Sequence, residues 1–505
     1  MIYHCEMHYI EGGLLMPEEA ATQVPAKTRN LIIAVFLTGA FIAILNQTLL
    51  AVAIPSIMAD LNVSANTAQW VTTVFMLVNG IMIPITAFLI EKFTTRGLFL
   101  FAMGSFAIGT LFAALSPTFG LLMAGRVIQG VGAGIMIPLM QTSIMTMFPI
   151  SQRGQAMGLA GLAIAFAPAF GPTLSGWVVD SYSWNTLFYI ILPIAIVDII
   201  LAYFLLKNVT ELKHPKLDLL SIMLSTAGFG GLLYGFSAAG NSGWGSATVL
   251  TTLAVGAVAL FLFIWRQLHV ERPILEFRVL KNPIFTLTVV VAMACFVSMV
   301  GSQTLIPLYV QNARGFSALD SGLMLLPGAL LMGLMSPITG RIFDKVGGRG
   351  LAITGLSLLT VGTIPYMFLT DDSSIAFLTT MFALRMLGVA MVMMPMTTAG
   401  LNQLPNSLIA HGTAMTNTLR QVAGSIGTAV LITVMSQSAS GAARAGEVSS
   451  QTGALIHGIN VAFFVALIAA IVGLVLSFFL KNTRPDTMEK REVRGSKSNT
   501  KESKA

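Results

Sequence analysis

The chain has 505 residues, of which 55% are hydrophobic and only 10% charged, and its mean hydropathy is +0.81. A soluble domain carries about 25% charged residues, so the composition excludes a soluble protein and indicates one that crosses a membrane many times. The two cysteines, Cys5 and Cys295, exclude a disulfide framework. No phosphate-binding loop or dinucleotide fingerprint is present, so we expect no ATP-driven motor, no cofactor and no metal.

The first fifteen residues lack the apolar core of a targeting signal. The stretch at 11–13 can be encoded by a purine-rich ribosome-binding sequence that lies just ahead of Met16. We therefore expect translation to begin at Met16, within an N-terminal tail that covers residues 1–30. A translated but disordered segment at 1–15 is the alternative, because chain termini are commonly disordered.

Fourteen apolar runs are long enough to cross a bilayer, which takes about 20 residues of helix. The seventh run is rich in glycine, and the third and fourth runs are separated by a single residue. The predicted spans are 31–54, 68–90, 98–117, 119–143, 156–179, 186–206, 218–239, 247–268, 283–306, 319–341, 349–370, 374–398, 413–434 and 459–480. The predicted fold class is therefore an all-α polytopic membrane protein.

The distribution of lysine and arginine supports this count. If the N-terminus lies in the cytoplasm, cytoplasmic segments hold 23 of the 28 basic residues, and external loops hold only Arg314 and Arg444. The other three basic residues lie within spans. Basic residues concentrate in cytoplasmic loops, so the asymmetry predicts that both termini are cytoplasmic.

The spans divide into six, two and six. We predict an N-terminal six-helix bundle at 31–206 and a linker with two extra transmembrane helices at 207–282. A C-terminal six-helix bundle is predicted at 283–480. The tail at 481–505 is polar and mostly basic, which predicts a disordered segment.

Two similar loop motifs lie at the cytoplasmic ends of the second and the tenth span. They consist of Glu91, Lys92 and Arg96 in the first half, and of Asp344, Lys345 and Arg349 in the second half. A motif repeated in two halves of an apolar chain indicates a duplicated transporter, with the loops acting as gates. The second copy is the more complete, and its aspartate can cap the helix that follows.

The fourth span contains Arg126, with Gln129 one turn later. An arginine is costly in hydrocarbon, so it should face a partner or a wet cavity. At 1.5 Å per residue, Arg126 lies about 10 Å and Asn46 of the first span about 12 Å from the outer end of its helix, so the two can share a level. The alternative is that Arg126 only joins helices through backbone carbonyls.

The fifth span carries Gly171, Pro172 and Gly176. Proline removes a helix hydrogen bond and bends the axis, while glycine permits close packing. The pattern predicts a hinge between two bundles, and a static kink is the alternative.

Taken together, these motifs resemble the major facilitator superfamily, and within it the fourteen-spanner drug:proton antiporters, closest to the lincosamide and multidrug exporters. The resemblance covers about residues 27–480. It rests on the loop motifs, on the fourth- and fifth-span motifs, and on the stretches 45–55, 69–70 and 417–424. It implies two six-helix bundles that rock around a midplane cavity, and the glycine–proline motif is typical of exporters. Many members have an aspartate where this chain has Asn46, which cannot titrate.

The resemblance also implies which side chains line the cavity. Spans one, four, nine and twelve would supply polar groups beside a Met-rich apolar wall, which suits varied amphiphiles. Packing or lipid contact is the alternative for those methionines. The candidates are Asn46, Gln47, Gln129, Ser298, Gln303, Arg385, Thr397 and Thr398, with Arg420 of the thirteenth span.

One carboxylate is a candidate for carrying protons. Of the 21 acidic residues, only Asp198 lies deep within a span, about 12 Å from its inner end. An intramembrane carboxylate is a functional hypothesis by default. A structural aspartate, or one that reaches the membrane surface, is the alternative, because the family's sixth spans lie outside the main cavity.

The sequence thus predicts proton-coupled export of amphiphilic drugs or toxic metabolites across the cytoplasmic membrane of a bacterium, and not an enzyme. The expected partners are the lipid bilayer, a small amphiphilic substrate and protons, with no nucleic acid, and nothing indicates an oligomeric state. A proton-driven uptake symporter and a non-transporting membrane scaffold are the two rival functions.

Overall fold

A computed structural model describes residues 26–481, apart from 211, 214, 216, 447 and 449. Within this part, fourteen helices are long and apolar enough to cross a membrane, and no strand is present. The predicted fold class and the predicted number of spans are therefore confirmed. The helices are α1 (Ala26–Leu61), α2 (Ala65–Lys92), α3 (Thr95–Ala114), α4 (Phe119–Met147), α5 (Arg153–Ser181), α6 (Thr186–Leu205), α7 (Leu219–Ser242), α8 (Ala247–His269), α9 (Pro283–Leu308), α10 (Ala318–Val346), α11 (Gly348–Thr363), α12 (Ile375–Leu401), α13 (Ile409–Ala445) and α14 (Gln451–Ser477).

Several helices extend beyond the apolar runs that predicted them. Helix α14 begins at Gln451 and not at 459, because Ser450 accepts a hydrogen bond from the backbone N–H of Gly453 and caps the helix there. Helix α1 begins at Ala26, inside the predicted tail. The expected start at Met16 lies outside the described residues, as does almost all of the basic C-terminal tail.

Glycines let neighbouring helices touch in both halves of the chain. A Cβ on Gly109 of α3 would strike the backbone of Gly125 in α4, and a Cβ on Gly355 of α11 would strike the backbone of Gly388 in α12. Small residues drive helix association in lipid, where the hydrophobic effect between helices is absent. We call α1–α6 the N-terminal bundle and α9–α14 the C-terminal bundle.

The glycine-rich seventh run forms a helix for the same reason. Gly228 and Gly231 of α7 leave room for the backbone of α8, which approaches at Leu260 and Gly256. Helix α7 in turn packs against both α2 and α13. The two inserted helices therefore contact both bundles.

Helices α5 and α10 form the closest contact between the two bundles. At their cytoplasmic ends, a Cβ on Gly340 would overlap the backbone of Gly154, and one turn further a Cβ on Gly158 would meet the backbone of Ser336. No larger residue fits at these positions without separating the helices. This contact closes the bundles against each other on the cytoplasmic side, the side that the distribution of basic residues identifies.

Candidate functional site

The candidate site has two parts. One is a set of contacts between the cytoplasmic ends of the bundles, made by Asp344, Arg153 and Glu91, which we name the gate after its predicted role. The other is a set of buried polar side chains above it. In the gate, the carboxylate of Asp344 in α10 accepts hydrogen bonds from the backbone N–H groups of Gly154 and Gln155, each at 2.8 Å. These groups belong to the first turn of α5, whose free N–H groups and helix dipole favour a negative charge. Asp344 therefore joins the two bundles.

The prediction that this aspartate caps the helix after it is wrong. Helix α11 begins directly after Gly347, whose φ of +85° turns the chain sharply. The end of α10 lies instead against α5 through Gly154 and Gly340, and this contact brings Asp344 to the α5 N-terminus. The cap thus lies in the opposite bundle, nearly 200 residues away in sequence.

Two further contacts close the gate. The guanidinium of Arg153 donates to the side-chain oxygens of Asn402 at 3.1 Å and Asn406 at 3.4 Å. Higher in the bundles, Asn417 of α13 donates to Gln141 of α4 at 2.7 Å. None of these pairings was predicted, because each depends on two helices that the sequence alone cannot bring together.

The loop motifs divide into two groups. Glu91 reaches the opposite bundle, where its Oε1 atom lies 3.1 Å from Nε2 of His411, and it also accepts from Lys213 at 2.5 Å. The cations of Lys92 and Arg96 lie over the aromatic rings of Phe88 and Tyr203 in their own bundle, while Lys345 and Arg349 are exposed. The two acids thus make the contacts between bundles.

Arg126 is fully buried and joins three helices. Its Nε donates to the carbonyl of Val71 in α2 at 2.9 Å, and its Nη1 donates to Gln129 at 2.8 Å. Gln129 in turn donates to Thr110 of α3 at 2.7 Å, and the guanidinium lies 4.2 Å from the ring centroid of Phe75. The contact with the Val71 carbonyl is the one expected if Arg126 only joins helices. Its Nη2, however, has no hydrogen-bond partner among the described residues.

Asn46 and Asp198 are both buried inside the N-terminal bundle. Neither side chain has a hydrogen-bond partner among the described residues. Asp198 faces Gly39 of α1, where its Oδ2 lies 3.0 Å from the position that a Cβ would occupy, and Met103 and Met136 lie beside the same position. With 1% of its surface exposed, Asp198 does not reach the membrane surface.

The other predicted cavity residues differ in their surroundings. Arg385 donates to the backbone carbonyl of Ser298 in α9 at 3.0 Å, and Arg420 donates to Asn417. Each guanidinium also has two nitrogens with no partner among the described residues. Gln47 and Gln303 are half-buried, whereas the hydroxyls of Thr397 and Thr398 bond to the carbonyls of their own helix.

The predicted hinge lies in an unbroken helix. Helix α5 is continuous from Arg153 to Ser181, and Gly171 lies where a Cβ would strike Thr48 of α1. Gly176 has open space around it, and nothing is described for the side chain of Pro172. The hinge stays a prediction, while the close packing expected of Gly171 is present.

The charges in the membrane interior are unevenly distributed. Among the described spans, three buried guanidiniums, those of Arg126, Arg385 and Arg420, stand against one deep carboxylate, that of Asp198. Within the described residues, no three histidine, cysteine, aspartate or glutamate side chains come together as metal ligands would. The arrangement thus offers hydrogen-bond donors, one acid and no metal centre in this part of the chain.

Comparison with known proteins identifies the family. The model of the Major Facilitator Superfamily matches residues 36–428. The chain belongs to this superfamily. The chain is 58% identical to the uncharacterized MFS-type transporter YcnB of Bacillus subtilis over 453 residues, which cover 90% of this chain and 95% of YcnB. It is thus similar over nearly its whole length to another member.

Two further similarities are informative. The lincomycin resistance protein LmrB of Listeria monocytogenes is 45% identical over 460 residues, which cover 90% of this chain and 97% of LmrB. A crystal structure of a double-tryptophan XylE variant matches with a TM-score of 0.64 at 14% identity, covering 93% of this chain and 99% of XylE. The latter shows the fold alone. The protein is therefore a multi-pass membrane transporter with a major facilitator fold.

Replacing Arg126 tests whether its buried guanidinium is needed for transport. We expect Arg126→Ala to abolish transport at near-normal protein levels, because no other described group donates to both the Val71 carbonyl and Gln129. Arg126→Lys should also fail, since one ammonium cannot reproduce the fork that reaches both Val71 and Gln129. The measurement is drug resistance with immunoblot quantification, and the exposed neighbour Val127→Ala is the control. Full resistance of Arg126→Ala would reduce this residue to a packing role.

The two loop acids should differ in importance. In Asp344→Asn the amide NH₂ would face one of the two N–H donors of α5, and leaving this part-buried N–H without an acceptor costs about 1 kcal/mol. Glu91→Gln keeps an oxygen for both of its donors, because one atom, Oε1, accepts both. We therefore expect Asp344→Asn to slow transport more than Glu91→Gln. Equal transport rates for Asp344→Asn and the wild type, measured in vesicles, would rule this out.

Proposed function

We propose that the protein exports amphiphilic drugs or toxic metabolites from the cytoplasm in exchange for protons. The observation that carries this proposal is the 45% identity to a lincomycin resistance protein, because it spans 97% of that protein. A resistance transporter moves the drug out of the cell, whereas an uptake symporter moves its solute in. The similarity therefore favours export. The glycine–proline motif of α5 also favours export, through its resemblance to exporters.

Unpartnered polar groups support a wet cavity between the bundles. Side-chain atoms of Gln141, Thr418 and Arg420, on helices that meet across the two bundles, are buried with no hydrogen-bond partner among the described residues. Leaving such groups dry costs about 1–3 kcal/mol each, so water or a polar substrate would satisfy them. A cavity with scattered donors and flexible methionines can accept many amphiphiles.

The gate supports alternating access. Closure at Asp344, Arg153 and Glu91 blocks the cytoplasmic side, and each contact is polar and can be exchanged for water when the bundles separate. The bundles would then rock about the midplane site. Helix α5 is the candidate hinge, because Gly171, Pro172 and Gly176 lie in the helix that carries the gate at its other end.

Asp198 is the proposed proton carrier. It is the deep acid in the described spans, it has no hydrogen-bond partner there, and Asn46 in the first span cannot titrate. Burying an unpaired carboxylate is costly, and binding a proton removes that cost. The carboxylate faces Gly39 of α1, a helix that resemblance to the family assigns to the cavity wall.

A transport assay separates export from its rivals. Everted membrane vesicles with lincomycin as the probe should accumulate the drug when a proton gradient is imposed, because their cytoplasmic face is outermost. A symporter would instead load right-side-out vesicles, and a scaffold would load neither. Accumulation that does not depend on this protein, measured against vesicles lacking it, would contradict the proposal for this substrate.

Replacing Asp198 tests the coupling. We expect Asp198→Asn to lose proton movement on substrate addition while substrate still binds, because asparagine keeps the shape and removes the titration. The measurement is the pH change in vesicles upon addition of substrate. The exposed Asp180→Asn is the matched control, since it removes one acid of the same protein outside the interior. Unchanged antiport in Asp198→Asn would assign the proton to another acid, such as Asp320, Glu91 or Asp344.

A further inference from the structure

A hydrogen-bonded network joins the two bundles above the gate. Asn417 of α13 donates through Nδ2 to Oε1 of Gln141 in α4 at 2.7 Å and to the carbonyl of Thr413 at 2.9 Å. The other atom of the same amide, Oδ1, accepts from Nη2 of Arg420, one turn further along α13. The exposed fractions of Gln141, Asn417 and Arg420 are 0%, 5% and 8%. The network is therefore buried, and opposite bundles supply its two ends.

Arg420 determines the orientation of both amides in the network. A guanidinium can only donate, so Oδ1 of Asn417 must face it, and the Asn417 NH₂ is turned towards Gln141. Gln141 then accepts through its oxygen, which leaves its own NH₂ as a donor. Nε2 of Gln141 and both Nε and Nη1 of Arg420 have no partner among the described residues. The network thus ends in unbonded donors in both bundles.

The charge of Arg420 is also unpaired within the part of the chain that the structure describes. No described carboxylate lies within ion-pair distance of its guanidinium, and the ring centroid of Phe296 lies 5.9 Å away. Burying an unpaired cation is costly, and a hydrogen-bonded anion would reduce that cost.

Arg420 differs in this respect from the other two buried arginines of the described spans. Arg126 donates to Val71 and Gln129 in its own bundle, and Arg385 donates to Ser298 in its own bundle. Arg420 instead belongs to a network that crosses between the bundles. Its charge therefore lies at the contact that borders the proposed cavity.

We propose that Gln141 and Arg420, positioned by Asn417, bind the anionic group of an amphiphilic substrate, such as a carboxylate or a sulfonate. These groups accept hydrogen bonds without donating any, which matches a site that presents only N–H donors. Arg420 supplies the charge, and the amide of Gln141 adds a neutral donor from the opposite bundle. The inference rests on the proposed function, because it places the site in the cavity that the exported substrate would enter.

The proposal narrows one class of substrate and leaves the others unaffected. An amphiphile without an anionic group would use the apolar walls of the cavity and leave Arg420 to water. An anionic amphiphile would gain hydrogen bonds to a charged donor in a site shielded from water. Such bonds are the stronger ones in proteins, and one of them raises the affinity by about tenfold or more.

A pair of fluorescent probes isolates the contribution of the anionic group. Anilinonaphthalene sulfonate and its uncharged parent, phenylnaphthylamine, share one aromatic body, and only the first carries a sulfonate. The full chain is placed in nanodiscs of phosphatidylcholine, and binding is measured by equilibrium dialysis against nanodiscs that lack the protein. This comparison removes the probe that dissolves in the lipid. We expect the sulfonate to bind about tenfold or more tightly than the uncharged probe.

Four variants locate the site. In Arg420→Gln we expect the affinity for the sulfonate to fall to that for the uncharged probe, whose own binding persists and shows that the variant is folded. Asn417→Asp should have the same effect, because its carboxylate would pair with Arg420 and turn the NH₂ of Gln141 towards itself. Arg420→Lys keeps the charge and should retain part of the preference. Arg444→Gln removes an exposed arginine at the outer end of the same helix and is the matched control.

Equal binding of the two probes by the unchanged protein would overturn the proposal and assign water to Arg420. A preference for the sulfonate that persists in Arg420→Gln, or one that Arg444→Gln also abolishes, would overturn it too, since the preference would then arise elsewhere. If Arg420→Gln bound neither probe, Asn417→Asp and Arg420→Lys would decide. The assay needs neither a proton gradient nor transport, so its failure is distinguishable from failure of the vesicle assay that tests export.

Discussion

The carboxylate of Asp344 on the N-terminus of α5 is the interaction on which the closed cytoplasmic side depends. Both of its oxygens are used, each by one backbone N–H, so the charge meets two free donors and the positive end of a helix dipole at once. The contact is possible only because Gly154 and Gly340 let the two backbones touch. Asp344 and the two glycines therefore form one gate, although the chain separates them widely.

The proposed reversible closure would explain why the gate is polar. An apolar contact of this size would be hard to open next to water, whereas hydrogen bonds to Asn402, Gln155 or Glu91 can each be replaced by water with little net change in free energy. The same reasoning applies to the proposed cavity, where water or substrate would satisfy the buried polar groups that lack partners among the described residues. In the described spans, three buried guanidiniums against one deep carboxylate leave the interior positively charged.

Much of the fold could be predicted from the sequence because the bilayer imposes it. Backbone groups in hydrocarbon must bond within their own helix, so long apolar runs give helices and their number follows by counting. The predicted positions of the helix ends were less accurate, because a side-chain cap such as Ser450 lets a helix extend beyond its apolar part. Glycines that permit helix contacts, as in α7, make a span harder to recognise as a transmembrane helix from the sequence.

The site was harder to predict because its contacts join distant segments. The acids of the loop motifs were recognised, but the partner of Asp344 was assigned to the wrong helix. His411 and Lys213 were missed altogether. A lone histidine at the start of a span and one lysine in a basic linker carry no pattern, and only the packing of α2 against α13 gives them a common partner. Arg126 could be identified because an arginine in hydrocarbon carries a high free-energy cost. That cost predicts burial, but it does not predict which helix the side chain contacts.

A cross-link across the gate tests the central claim, that the contact between α5 and α10 must open in every transport cycle. The side-chain ends of Gln155 and Arg341 lie close together there, so cysteines at both positions, in a chain without Cys5 and Cys295, can be joined by a short bifunctional thiol reagent that a reductant cleaves. We predict that cross-linking stops transport and that cleavage of the linker restores it, with each single-cysteine variant unaffected. Transport at the full rate by the cross-linked protein would contradict the account.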